Sequence, residues 1–307
     1  MVDRYRNYQP YRPTMQPRKS HRRGIFVITV VGALIIGGIF IGRRIDDSET
    51  TKAIAAIAKT KPKKAVTAEP ISSEKWNEIS QQLNTTIAAH PDLDLSVTVI
   101  DINSSTKANY GVQESFAGAS TTKVLTAVTF LHQVELGQAS FSQSLNGVSA
   151  QQQLKQMINQ SNNESWSALN QAVGGTVLEN YAHSIGMSSY KYTGNLMTAS
   201  DEALLLQKLY SGKLLSNDHR RLLFSYMQNT NNEDMIPAVA PSGSTLYHKY
   251  GQLDTRLHDA AIVTYKNRPI VLVIYTKGPT NANGTEYTSR VQLIRNLAET
   301  VFSNIYQ

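Results

Sequence analysis

The stretch FAGASTTKVLTAVTF, residues 116–130, decides how the rest of the chain is read. It sets Ser120 three residues before Lys123, at the start of an apolar run. Two readings compete: a nucleophile with its base, or a capping serine with a lysine that snorkels from a helix. Spacing alone does not choose. Ser-x-x-Lys occurs four times, as Ser72/Lys75, Ser104/Lys107, Ser120/Lys123 and Ser188/Lys191. About one or two such pairs arise by chance in a chain this long. Context sorts them. Ser72 opens a helical pattern and reads as its cap. Ser104 falls in a turn between strands, and Ser188 in a polar, Tyr-rich loop. Only Ser120 meets an apolar helix, whose Val124, Leu125, Val128 and Leu131 form a predicted buried stripe. A lysine one turn along that face loses its proton more readily, because burial disfavours the ammonium. It can then accept a serine proton.

Working outward, SSEKWNEISQQLNTTIAAH (72–90) reads as a capped helix. LSVTVIDI (95–102) alternates as a strand, followed by a second strand near 107–111 through a turn at 103–105. Helical segments fill 120 to about 228. YHKYGQL, HDAAIVTYK and RPIVLVIYTKG then read as three successive strands, and TEYTSRVQLIRNLAETVFSNIY as a last helix. Two strands, a helical block and three strands predict an α+β fold. It has one antiparallel sheet of about five strands, flanked by N- and C-terminal helices, with the helical block as a separate lobe.

The chain has 307 residues, 41% of them hydrophobic, no Cys and a formal net charge of +7. The absence of Cys excludes disulfides and thiolate zinc sites. Fourteen of the 30 Lys and Arg fall in the first 64 residues, so the basic character belongs to the N-terminal segment. The body is close to neutral, which argues against a nucleic-acid partner. Residues 24–42, GIFVITVVGALIIGGIFIG, carry no charge over 19 positions, enough to cross a bilayer as a helix. A cleaved signal peptide fits less well, because the run ends in Gly-Arg-Arg rather than a small-x-small site. The expected organisation is therefore a cytoplasmic basic tail (1–23), a single-pass membrane anchor (24–42), a linker (43–71) and a folded, extracytoplasmic body (72–307).

Two further stretches bear on the chemistry. MINQSNNESW (157–166) sets Ser161 and Asn163 at a junction between helices, where a hydroxyl can pass a proton and an amide can hold a carbonyl. HKYGQLD (248–254) sets Lys249 and Gly251 on a strand bordering a site. There a glycine allows close backbone approach, and a lysine offers charge to a carboxylate.

The ordered triple Ser120-x-x-Lys123, Ser161-x-Asn163 and Lys249-Tyr250-Gly251 resembles the S-x-x-K, S-D-N and K-T-G boxes of class A β-lactamases and penicillin-binding proteins. The surrounding AST-x-K, MI-x-x-S-x-N, SGKLLS and HDAAIV segments are similar to the family too, over roughly residues 75–305. The resemblance implies an acyl-enzyme mechanism without metal or cofactor. Ser120 would attack, Lys123 would be its base and Ser161 would protonate the leaving amine. Asn163, Lys249, Tyr250, Gly251 and Gln252 would bind substrate, with the Ser120 and Gln252 N–H groups as the oxyanion hole. The implied partners are a β-lactam or a D-Ala-D-Ala-type peptidoglycan stem peptide.

Three departures stand out. Asn162 replaces the Asp of the second box. Tyr250 replaces the small hydroxyl residue of the third, and a phenol is too long for the same pose. The stretch 180–200 is short and contains no Asp or Glu, whereas class A β-lactamases use a loop glutamate to release the acyl group. His183 and Glu164 are expected to be an ordinary helix residue and a surface acid. The expectation is a serine hydrolase that acylates and releases slowly. The alternative is a non-catalytic wall-binding or sensor protein that keeps the fold, with Tyr250 as its best support.

Overall fold

The computed structural model describes residues 68–306. The tail, the apolar run 24–42 and the tether up to residue 67 lie outside the described residues. Among the described residues, no helix is long and apolar enough to cross a membrane.

The strands Asp94–Asp101 (β1), Thr106–Gly111 (β2), Thr245–Leu253 (β7), Arg256–Tyr265 (β8) and Arg268–Lys277 (β9) form the expected five-stranded sheet. Its order is β2-β1-β9-β8-β7, and every pairing is antiparallel. The N-terminal hairpin joins the C-terminal meander through β1 and β9, with Val97 opposite Ile274 and Val99 opposite Leu272. This long-range pairing follows from period-2 burial. Ile270, Leu272 and Ile274 face one apolar cluster, while Val271, Val273 and Tyr275 face the other. Each fully buried aliphatic side chain contributes roughly 2 kcal/mol, so a one-residue slip would forfeit both faces.

Helices Ser73–Ala88 (α1) and Gly284–Tyr306 (α9) belong to the first cluster. Ser72 caps α1, its Oγ accepting from Lys75 N at 3.3 Å. Ile71, at the end of the predicted linker, is buried and donates its N–H to Asp101 Oδ2 at 3.3 Å. The second cluster contains the helical lobe: Lys123–Glu135 (α2), Ala150–Asn159 (α3), Asn163–Val173 (α4), Gly175–Ser184 (α5), Ala199–Tyr210 (α6) and Asn217–Tyr226 (α7). Short two-residue strands add local ties, notably Phe116–Ala117 (β3) with Leu196–Met197 (β6).

The helix after Ser120 differs from expectation in two ways. It begins at Lys123, and Ser120 lies in the turn before it. Its burial is not a stripe, because every residue from Lys123 to Leu131 is buried. The reason is that α3, α4 and α5 all pack against α2, making it the axis of the lobe.

Candidate active site

Three chain segments converge at one end of α2. The first is the turn carrying Ser120. Ala119 has a left-handed backbone, φ 49°, a conformation that costs a non-glycine residue roughly 1–2 kcal/mol. The turn persists because its neighbours hold it. Thr122 Oγ1 donates to Ala119 O at 2.9 Å, and Asn195 Nδ2 donates to the same oxygen at 3.0 Å. Gly118 N donates to Asn195 O at 2.9 Å. Thr121 Oγ1 donates to Gly118 O at 2.8 Å and lies 2.7 Å from the Tyr275 hydroxyl. Thr121 has a single proton and spends it on Gly118, so Tyr275 is the donor in their bond.

The second segment is the junction between α3 and α4. Ser161 also has a left-handed backbone, φ 54°. Asn162, where the family has Asp, caps α4 by accepting from Ser165 N at 2.7 Å. A neutral amide serves there because the task is to accept one backbone N–H. Lys123 Nζ donates to Ser161 O and to Asn163 Oδ1, both at 2.7 Å, and lies 3.4 Å from Ser161 Oγ. It is 1% exposed. Burial, then the neighbouring positive charge of Lys249, holds its pKa well below the ordinary ammonium range. The geometry suits a neutral amine. Two N–H groups serve the two 2.7 Å acceptors, and the lone pair remains for a hydroxyl proton. The Lys123 nitrogen therefore bonds to residues 161 and 163, while Ser120 shares its cleft.

The third segment is β7, the edge strand. Gly251 sits where a Cβ would lie 2.9 Å from Ser120 N and 3.0 Å from Gly118 O and Thr121 N. The close approach that demands glycine is thus made by the chain's own turn. Gln252 Nε2 donates to Ala282 O at 2.5 Å. Lys249 is fully buried. Burial pushes its pKa down, the acids Asp259 and Glu202 partly counter this, and the outcome is about 7. Its Nζ donates to Tyr250 O at 3.0 Å and lies 4.2 Å from the Tyr250 ring centre. Behind it, His248 Nδ1 is 2.9 Å from Asp259 Oδ1 and its Nε2 is 3.2 Å from Glu233 Oε1. Burial opposes the imidazolium there, but the two carboxylates prevail and raise His248 to about 9.

The cleft between these segments is lined by Ala119, Ser120, Lys123, Asn163, Trp166, Gln252 and Leu253. Of the four Ser-Lys pairs, only Ser120 and Lys123 belong to it. Ser104 donates to Asp101 Oδ2 at 2.9 Å in the β1–β2 turn. His183 ends α5 with its Nε2 2.9 Å from Tyr190 O, and Glu164 is exposed in the first turn of α4. Both match their expected plain roles. Trp166, 5.9 Å from Lys123 Nζ to its ring centre, and the clamp Asn195 were missed. Trp166 sits one helical turn after Asn163, which places it on the same face. Asn195 had one signal, an Asn after Gly194, a pair that tolerates left-handed backbone.

With this geometry in view, the comparisons take their place. The profile of the beta-lactamase enzyme family matches residues 78–305, and the chain belongs to that family. Solved structures share its fold. A point variant of PBP-A, in an acyl-enzyme complex with penicillin G, is 22% identical with a TM-score of 0.67, covering 74% of this chain and 96% of that one. A variant of the last common ancestor of Gram-negative bacteria class A β-lactamase is 19% identical with a TM-score of 0.68, covering 75% and 100%. A β-lactamase from Chitinophaga pinensis is 20% identical with a TM-score of 0.66, covering 74% and 99%. No curated protein matches the chain.

Proposed function

We propose that the protein is a membrane-anchored serine hydrolase that forms an acyl-enzyme on Ser120 with β-lactams or D-Ala-D-Ala-type wall peptides and releases it slowly. The observation that carries this reading is the buried Lys123 amine, with two 2.7 Å acceptors and a depressed pKa, in the cleft that holds Ser120. Ser120 Oγ attacks the carbonyl carbon as its proton passes to Lys123. The tetrahedral oxyanion is held by the Ser120 and Gln252 N–H groups, where losing one donor costs ~3–4 kcal/mol. The carbon–nitrogen bond then breaks as Ser161 gives its proton to the leaving nitrogen, and Lys123 returns the stored proton to Ser161. Asn163 orients the amine by accepting from it.

Release needs a water beside the acyl carbon and a base to deprotonate it. None of the cleft-lining residues is Asp or Glu, and the segment between α5 and β6, residues 185–195, contains none. The Trp166 indole lines the same cleft, its ring centre 5.9 Å from Lys123 Nζ. Intact-protein mass spectrometry after mixing with a penicillin tests both halves. An adduct on Ser120 that persists for many minutes is expected. Rapid multiple turnover with no adduct detected would overturn slow release.

The apolar run 24–42 supports anchoring with the body outside. Protease added to intact protoplasts is expected to digest the body, and full protection would refute this topology. A second reading, a binding or sensing protein without catalysis, is favoured by one observation: the Lys249 ammonium is turned onto Tyr250 rather than into the cleft. The same mass spectra decide, because that reading expects no adduct at any time.

A further inference from the structure

The segment between α5 and β6 supplies no acid to the cleft, but its last residue reaches the turn that carries Ser120. Asn195 is 6% exposed and itself has left-handed backbone, φ 53°. The short ladder of β3 on β6, with Phe116 opposite Met197 and Ala117 opposite Leu196, brings it there. Gly118 N donates to Asn195 O at 2.9 Å and extends that ladder by one bond, while Asn195 N donates to Tyr192 O at 3.0 Å. The side chain then crosses to the turn, with Nδ2 donating to Ala119 O at 3.0 Å. A carbonyl only accepts, so the amide nitrogen is the atom that faces it.

Ala119 C=O and Ser120 N–H are the two ends of one planar peptide group, pointing in opposite directions. Whatever fixes Ala119 O therefore fixes the direction of the Ser120 N–H. Two donors converge on that oxygen, Asn195 Nδ2 and, at 2.9 Å, Thr122 Oγ1. Ala119, with φ 49°, does not hold this peptide plane by preference, because left-handed backbone is unfavourable for alanine. A carbonyl that accepts also polarises its own amide, which makes the N–H at the other end a stronger donor. None of the bonds that hold the turn uses the Ser120 N–H. It faces β7, where a Cβ on Gly251 would lie 2.9 Å from Ser120 N.

We propose that Asn195 is a positioning residue for acylation: its amide, donating to Ala119 O, aims and polarises the peptide whose Ser120 N–H stabilises the oxyanion. This role rests on the acyl-transfer reading above. As the bond from Ser120 Oγ to the carbonyl carbon forms, the π electrons of the substrate C=O move onto its oxygen. The Ser120 N–H meets the charge that develops there, and a donor already fixed in place needs no reorganisation at that moment. Asn195 gains and loses no proton, and it is not among the residues that line the cleft. The segment that offers no base for hydrolysing the ester thus contributes to forming it.

The test is rapid-mixing kinetics with benzylpenicillin on the protein and its Asn195→Gly variant, which separate the apparent dissociation constant from the limiting acylation rate. Glycine suits left-handed backbone, so the two backbone bonds of residue 195 are kept and only the amide is lost. A melting curve checks that the fold is retained. The limiting rate is expected to fall about tenfold, the size of one hydrogen bond lost in the transition state, with the dissociation constant changed less than about twofold. Infrared difference spectra of the adduct, made with benzylpenicillin carrying a labelled β-lactam carbonyl, are expected to show the ester C=O stretch at higher frequency in the variant, because a weaker donor polarises it less. Thr122→Ala, which removes the other donor to Ala119 O, is expected to act in the same direction, and it carries the test alone if the glycine variant does not fold. A defect carried by the dissociation constant would overturn the proposal. So would slower acylation with an unmoved C=O stretch, which would make the clamp purely structural. A normal adduct formed at the parent rate in both variants overturns this role alone. No adduct in the unmodified protein overturns the acyl-transfer reading, and this role with it.

Discussion

The two walls of the cleft are built by different means. The helical wall, with Ser120, Lys123, Ser161 and Asn163, comes from two tight turns, each holding a non-glycine residue in left-handed backbone. Its polar atoms bond to one another across 38 to 40 residues of sequence at 2.7 Å. The strand wall, β7, is held from behind by His248 between Asp259 and Glu233, and its lysine bonds to the strand's own Tyr250. The first wall brings two serines, a buried amine and an amide together. The second has been rebuilt around an aromatic residue. The two walls draw on separate hydrogen-bond networks, so side chains on one can differ from the family pattern without disturbing the other.

Substitutions can break or sharpen this contrast. The largest effect falls on the helical wall. Ser120→Ala is expected to abolish labelling by a penicillin probe, while Ser72→Ala, Ser104→Ala and Ser188→Ala leave it intact. Labelling that survives Ser120→Ala would show that the wrong serine was chosen. Next, Lys123→Arg replaces an amine that burial favours in its neutral form with a guanidinium that stays protonated. Acylation is expected to slow by at least about a hundredfold. In the unmodified protein, acylation should fall as pH drops through the pKa of Lys123, since protonation removes the lone pair. With that pKa well below the ammonium range, the fall belongs well below pH ~10. An acylation rate that still climbs steeply up to pH ~10 would contradict the buried neutral amine.

The strand wall answers through stability. His248 is raised from an ordinary 6.5 to about 9, so its charged form is favoured by folding. That stabilisation is complete below pH ~6.5 and is lost as pH rises through about 9. The stability difference between the protein and His248→Gln should therefore shrink by about 3 kcal/mol across that window, as read by urea unfolding at several pH values. A difference that stays flat would mean the imidazole is neutral and merely hydrogen-bonded. Gly251→Ala joins the two walls. Its Cβ would press on the Ser120 turn, where the contacts are backbone and cannot swing away. A loss of about 1–3 kcal/mol, accompanied by slower acylation, is expected. Normal melting and labelling would show that the turn has slack.

The smallest effect is expected at Glu202, on α6. It is fully buried, and its carboxyl lies beside the Tyr275 hydroxyl without a hydrogen bond of good geometry. Burial, reinforced by Asp201, holds it well above the usual carboxylate range. Tyr275 spends its proton on Thr121, so a protonated Glu202 is the form that suits this neighbour. Glu202→Gln, an isostere of the neutral acid, should change stability by less than about 1 kcal/mol. A loss of several kcal/mol would show that Glu202 is ionised beside Lys249.

The sheet was readable in advance because its signal is local. Alternation along 95–102 and three successive apolar runs near 247–278 state which residues must be covered, and the short turns between neighbouring runs make those strands antiparallel. The box residues were readable for a different reason: their order and spacing limit the chemistry before any distance is known. What the sequence could not state was direction. Nothing in it says that Lys123 would spend its short bonds on Ser161 and Asn163, or that Gly251 faces the protein's own turn. Nor does it say that the Lys249 amine lies against the Tyr250 ring and bonds to the Tyr250 carbonyl. Those outcomes depend on where a left-handed residue points the next side chain and on how far one strand stands from a turn more than a hundred residues earlier. Such distances are set by the packing of the whole lobe against the sheet. Residue types determined which proton transfers are available to this protein, and tertiary structure alone decided which groups face each other to perform them.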